Sequence, residues 1–160
     1  MGCRVYSTGN LQVRDATWTR IPWSSQRFGR LDGADFNYLV PEFPTFIHFP
    51  ASTEPVLAGS YLIGAHVEFS ANATGQRGVR LVNQAYPTDL DRADVAAVRR
   101  TDSIGAGSAM GLSIASMVGF VGGSSIACEV YQDSGGDLTL NSANAYSAEM
   151  WAVRLGLYPV

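Results

Sequence analysis

Acidic residues crowd two short stretches of this chain. Carboxylates at such spacing are what a calcium ion or a general acid–base pair would use. In CEVYQDSGGDLTL (128–140), Asp133 and Asp137 flank Ser-Gly-Gly. Calcium prefers roughly 6–8 oxygen ligands, and two carboxylates in one loop fall short of that. The glycine pair instead supplies the positive φ of a tight hairpin, with Asp at its corners, so a structural turn is expected. Asp89-Leu90-Asp91-Arg92-Ala93-Asp94 is the densest acidic cluster. It lacks the glycine and closing Glu of an EF-hand loop and reads as a solvated loop with Arg92 as internal partner. His66 and Glu68 share a strand face, and His48 is the other histidine. Zinc would want roughly three or four placed N or S ligands, so an exposed polar face is the better reading.

Nucleophilic chemistry has one faint candidate. Gly111-Leu112-Ser113-Ile114-Ala115 echoes a nucleophile elbow. That elbow needs a strand–turn–helix, and Ser113 lies inside an alternating strand pattern. No glycine-rich phosphate loop of the P-loop or dinucleotide type is present. Asn72-Ala73-Thr74 is a formal glycosylation sequon and reads here as a turn. The expectation is therefore no catalytic, cofactor-binding or metal site, and no enzyme.

The elements that would position these residues are strands. Period-2 alternation recurs, and long helical periodicity is nearly absent. In YLIGAHVEF, residues Tyr61, Ile63, Ala65, Val67 and Phe69 share one face; Leu62, Gly64, His66 and Glu68 share the other. LSIASMVGF, IACEVYQ, GDLTL, GVRLV and MWAVRLGL alternate likewise. TWTRIPW (17–23) and FIHF (46–49) also read as strands, and RFGRLDGADFNYLVPEFP reads as a loop. DLDRADVAAVRR is expected to be loop, then strand from about Val95. Turn signals lie between the runs at 72–76, 105–107, 121–125 and 133–137. Short strands so punctuated indicate a sandwich, jelly roll or barrel.

Composition bounds the partners. The chain has 160 residues, one domain by length. Charged residues are only 16% and hydrophobic ones 46%, against about 25% charged in ordinary soluble domains. So few charges leave apolar surface to be buried against copies of the same chain. A net charge of −3 argues against nucleic acid. No apolar run approaches the ~18 residues of a membrane span, and MGCRVYSTGN lacks a secretory signal pattern. All eleven cations are arginines, which fits either interface use or an Arg-rich codon bias. Cys3 and Cys128 do not make a disulfide framework. Cys128, between Ile126 and Val130 on one face, reads as a buried core residue.

The order of these runs resembles the C1q/TNF-like jelly roll, in the form common in bacteriophage structural proteins. Four stretches carry the likeness: RIPW with RFGRLDGADF; FPASTEPVLAGSYLIGAHVEFSANATGQRGVRLV, with Gly59 and Tyr61 at signature positions; VGGSSIACEVYQDSGGDLTL; and YSAEMWAVRLG. Together they span most of residues 17–157. Gly123-Ser124 departs from the acidic residue usual there, Glu149-Met150-Trp151 stands where a Gly-Phe pair is common, and no collagen repeat or heptad stalk is present.

The resemblance implies an all-β, antiparallel two-sheet jelly-roll sandwich, assembled as a homotrimer and located in the virion, put together in the host bacterial cytoplasm. Residues 1–16 are expected to form an N-terminal arm or strand and residues 17–160 the jelly-roll domain. Tyr61, Tyr146 and Trp151 are the candidate trimer-interface residues; a core position in one subunit is the competing reading for each. The exposed-looking aromatics Trp18, Trp23, Phe28 and Phe36 are candidates for docking on the particle. The expected role is a capsid decoration protein that stabilises the particle through contacts with itself and with the major capsid protein or other virion proteins. A minor tail or tail-tip protein is the near alternative. A module binding host-surface glycan or protein, through loop aromatics such as Tyr86 and Tyr146, is the alternative of a different class. Neither nucleic acid nor membrane is an expected partner. Deleting residues 1–16 is expected to leave a folded trimer that no longer binds particles.

Overall fold

The longest alternating run becomes the spine of the fold. β6 (Gly59–Phe69) lies between β9 (Met110–Phe120) on one side and β12 (Ala148–Leu157) on the other. Both pairings are antiparallel. Since side chains alternate in a strand, this register sends Tyr61, Ile63, Val67 and Phe69 inward, and all are fully buried. Leu62, His66 and Glu68 face outward. A computed structural model describes residues 2–30, 44–49, 59–84, 94–103, 108–120, 124–141 and 148–157. Among them are twelve strands and no helix. Hence no helix among the described residues is long and apolar enough to cross a membrane.

The first sheet continues from β12 through β1 (Gly2–Tyr6) to β4 (Ser25–Arg30). Beyond the end of β12, β11 (Leu138–Leu140) pairs with Phe69 of β6, and β2 (Leu11–Val13) pairs with β11. In the second sheet, β10 (Ser125–Gln132) pairs with β7 (Gln76–Gln84), which pairs with β8 (Asp94–Asp102). On its other side β10 takes both β3 (Thr19–Arg20) and β5 (Phe46–His48). All of these named pairings are antiparallel.

The two sheets bury their facing sides against each other. At one end, Phe49 stacks on Phe120 with ring centres 4.3 Å apart, and Tyr61 meets both rings edge-on at 4.9 and 5.7 Å. Offset and edge-on arrangements suit the ring quadrupoles and add to the area that is buried. Cys3 and Cys128 are both free and fully buried in this core. Burial pushes the Cys3 thiol up to about 12, against a smaller lowering by a backbone bond with Ala152. Burial raises the Cys128 thiol as well. Both therefore act as small apolar side chains, as read for Cys128 from the alternation.

Three expectations change. TWTRIPW is a strand only at Thr19–Arg20, although Ile21 and Trp23 beyond it are buried. Residues 27–30, the start of the stretch read as a loop, belong to β4; residues 31–43 of that stretch lie outside the described residues. Of the two readings of residues 1–16, arm or strand, the residues described form strands, which changes the expectation that they can be removed from a folded chain. Residues 2–6 form β1, held between β12 and β4 inside the first sheet, and residues 11–13 pair with β11. Cys3, Val5 and Val13 are fully buried. The sequence leaves arm and strand open because Arg4 and Tyr6, which face out of the sheet, break the apolar look of a strand that is internal.

Removing residues 1–16 is thus expected to destroy the fold instead of freeing a surface. It would strip two strands and open the core beneath them. Thermal melting followed by circular dichroism should show no cooperative transition for the truncated chain; a sharp transition would contradict the placement of β1.

Candidate functional site

With one face of each sheet sealed, whatever the chain recognises must involve loops or the two outward faces. The outer face of the first sheet is built in rows across β9, β6 and β12. Register places Met117, Leu62 and Val153 in one row, Ala115, Gly64 and Trp151 in the next, and Ser113, His66 and Glu149 in a third. The first row is apolar and open: Met117 is 71% exposed, Leu62 38% and Val153 37%, with Leu155 beside it at 54%. In the second row the Trp151 ring lies flat over Gly64. A Cβ added at Gly64 would sit 1.2 Å from two ring carbons of Trp151, so the missing side chain is the seat of the indole.

The polar third row is self-satisfied. His66 Nδ1 and Ser113 Oγ share a hydrogen bond of 2.8 Å. Glu149 accepts from Arg4, with Nε–Oε2 at 2.9 Å and Nη2–Oε1 at 2.6 Å. The Ser–His contact resembles a nucleophile and its base, but the carboxylate of that row is committed to Arg4, not to the imidazole. Ser113 also sits mid-strand, with no turn to form an oxyanion hole. The second and third rows line an open depression of about 530 Å³ around His66, Ser113, Glu149 and Trp151.

The outer face of the second sheet carries cations laid on aromatic rings. Glu129, nearly buried, accepts from Arg20 (2.9 and 3.1 Å) and from Arg80 (2.7 Å). The Arg20 guanidinium lies 4.7 Å from the Phe46 ring centre, and that of Arg80 lies 4.3 Å from Trp18. Arg100 lies 4.8 Å from Tyr131 and 5.4 Å from Trp18. Gly78 makes room here as Gly64 does on the other face: its added Cβ would meet the Trp18 ring at 3.1 Å. Beside this cluster Val95 and Val98 are 50% and 56% exposed.

The Asp133–Asp137 corner is structural. Asp133 Oδ1 accepts from the Gln76 backbone, tying this hairpin to the turn before β7. Gly75 has φ +72°, and a Cβ there would strike the Asp133 carbonyl, so glycine is required. Fully buried Gln132 holds the turn from inside, accepting from Ser134 N at 2.8 Å and donating to the carbonyls of Val13 (3.0 Å) and Gly136 (2.8 Å). The sequon is also a turn: Asn72 Oδ1 accepts from the Thr74 backbone at 2.9 Å. Among the described residues, no group of three or more His, Cys, Asp or Glu side chains is placed to hold a metal ion.

The candidate interface and docking residues scatter. Tyr61 is a correction: its alternation with Ile63 and Ala65 puts it in the core of its own chain, fully buried, so it offers no surface to a partner. Trp151 does lie on an outer face. Tyr146, Tyr86 and Phe36 lie outside the described residues. Trp18 is half-buried on the second sheet's outer face, whereas Trp23 is 2% exposed and cannot dock on anything. Phe28 pairs with Arg4 in β4, and its side chain is outside the described set. Leu62, Met117, Val153 and Leu155 were missed, although the parity that buries Tyr61 already exposes Leu62.

The two-sheet topology recurs in solved structures. Eiger TNF from S. frugiperda aligns with a TM-score of 0.66 at 11% identity, covering 100% of this chain and 95% of that one. Murine APRIL at pH 5.0 gives 0.61 at 12% identity over 96% and 98%. The globular domain of zebrafish complement 1qA gives 0.58 at 10% identity over 98% of each. The chain therefore has the TNF/C1q-like jelly-roll fold. No family model and no curated protein matches it.

The Trp151–Gly64 contact is testable. Gly64→Ala is expected to displace the indole and cost about 1–3 kcal/mol, as overpacking does. Trp151→Ala should make the same glycine substitution nearly neutral, a non-additivity measurable in a denaturant double-mutant cycle. Additive effects would show that the ring does not rest on Gly64.

Proposed function

We propose that this chain is a structural, non-enzymatic protein that works as a homotrimer, and that its place is the bacteriophage virion, as a capsid decoration protein. The observation that carries self-association is the open apolar row Met117–Leu62–Val153, with Leu155 and Trp151 alongside, on the outer face of the first sheet. A sheet face with four large apolar side chains exposed is costly in water and is relieved by a matching surface. Only 16% of the residues are charged, which leaves little to solvate that face otherwise. Three copies closing around an axis would also cover sheet edges that invite stray pairing.

Support for the virion comes from the four sequence stretches that resemble phage structural proteins. In that setting the role is mechanical: the trimer bridges neighbouring shell subunits by non-covalent contacts. Against catalysis stands the arrangement already described, in which Ser113 and His66 bond to each other without an orienting carboxylate. A minor tail protein would be built the same way but occur in few copies per particle. A copy number near that of the shell protein, from a stained gel of particles, supports decoration.

Sedimentation at micromolar concentration is expected to give about 51 kDa, three times the chain mass of 17.1 kDa. Met117→Asp, at an exposed site of the folded chain, should sediment as a folded monomer, because a carboxylate in an apolar interface cannot be paired. A wild-type monomer would overturn self-association. A trimeric Met117→Asp variant would move the interface elsewhere.

A further inference from the structure

The cation–aromatic cluster on the second sheet lies on the opposite outer face from the apolar row, so self-association through that row leaves it unexplained. Trp18, Arg80, Arg100, Val95 and Val98 line a shallow groove of about 530 Å³, within the common range of small-ligand sites, about 300–1,000 Å³. Arg80 and Arg100 line it, and Arg20 shares Glu129 with Arg80, on a protein of net charge −3.

The two arginines of the groove have different tasks. Arg80 gives Nε and one Nη to Glu129 and lies over Trp18, so it is fixed. Arg100 lies against Trp18 and Tyr131, and among the described residues no hydrogen bond or ion pair engages its guanidinium. Its position is set by rings, whose attraction leaves the N–H donors free. A planar fork held without a counter-ion, next to a second fixed guanidinium, matches an oxyanion in two-point geometry. The neighbouring Val95 and Val98 offer an apolar wall to whatever carries that oxyanion.

We propose that this groove binds an acidic saccharide, with Arg100 as the principal ligand to its carboxylate or phosphate. The Trp18 edge and the valine pair would contact the C–H face of the sugar ring. A saccharide fits better than a peptide because side chains on the outward strand face, and not backbone groups, line the groove. An extended peptide would gain most of its affinity by pairing along a strand edge. Charge complementarity selects the acidic members of the class.

The test is an array of saccharides bearing carboxylates, saccharides bearing phosphates, and their neutral parents, followed by calorimetry of the hits. Acidic members of either arm should be retained over neutral parents, and rising salt should weaken them. Arg100→Ala is expected to weaken binding about tenfold or more. Arg100→Lys should weaken it too, because an ammonium cannot fork. Sedimentation of each variant should match wild type, which separates loss of this site from loss of assembly. No preference for acidic over neutral saccharides would overturn the proposal. So would binding unchanged by Arg100→Ala, or displacement of every saccharide by acidic peptides.

Discussion

The register of β6 against β9 and β12 is the constraint on which everything else depends. In a strand, one residue of slip exchanges the buried and the exposed sets completely. With Gly64 opposite Trp151 and Ala115, the inward set is Tyr61, Ile63, Ala65, Val67 and Phe69, and these bind the two sheets together. The same register leaves Leu62, Met117 and Val153 outside. The apolar outer face is therefore not an accident of surface composition. It is the other side of the choice that makes the core, and the proposed self-association rests on it.

Glycine has a matching use on both outer faces. Gly64 and Gly78 each sit mid-strand, where glycine is normally unfavourable for a sheet. Each gives its space to an indole from another strand or loop, Trp151 in one case and Trp18 in the other. On the first face the neighbours of the indole are apolar; on the second they are arginines. The all-arginine cation set finds a physical role here. At least five of the eleven arginines, Arg20, Arg27, Arg77, Arg80 and Arg100, lie over aromatic rings. Lysine would stack less well and could not fork onto Glu129 or Glu149. A codon bias alone does not place guanidiniums on rings.

The strands from β6 onward were legible because alternation there is long and bounded by glycine turns. The start of β8 was legible as well, falling one residue from Val95. β1 and β4 were not, since each mixes arginine and glycine into a short run, and their burial comes from neighbours remote in sequence. The exposed apolar row was legible only in outline. Low charge points to apolar surface, and of the two readings of Tyr61, interface or core, the parity of its own strand selects the core. The second face could not be read at all: Trp18, Arg80, Arg100 and Tyr131 come from four segments, and the pairings of β3 with β10, β10 with β7 and β7 with β8 bring them together.

Cross-strand nuclear Overhauser effects in the labelled protein test that register most directly. The Gly64 α-protons should give strong effects to the Trp151 ring, and the backbone of Gly64 should lie opposite those of Ala115 and Trp151. Effects that instead placed Gly64 opposite Ala152 or Ile114 would shift the strand by one residue, turn Tyr61 outward, and contradict both the core and the open apolar face.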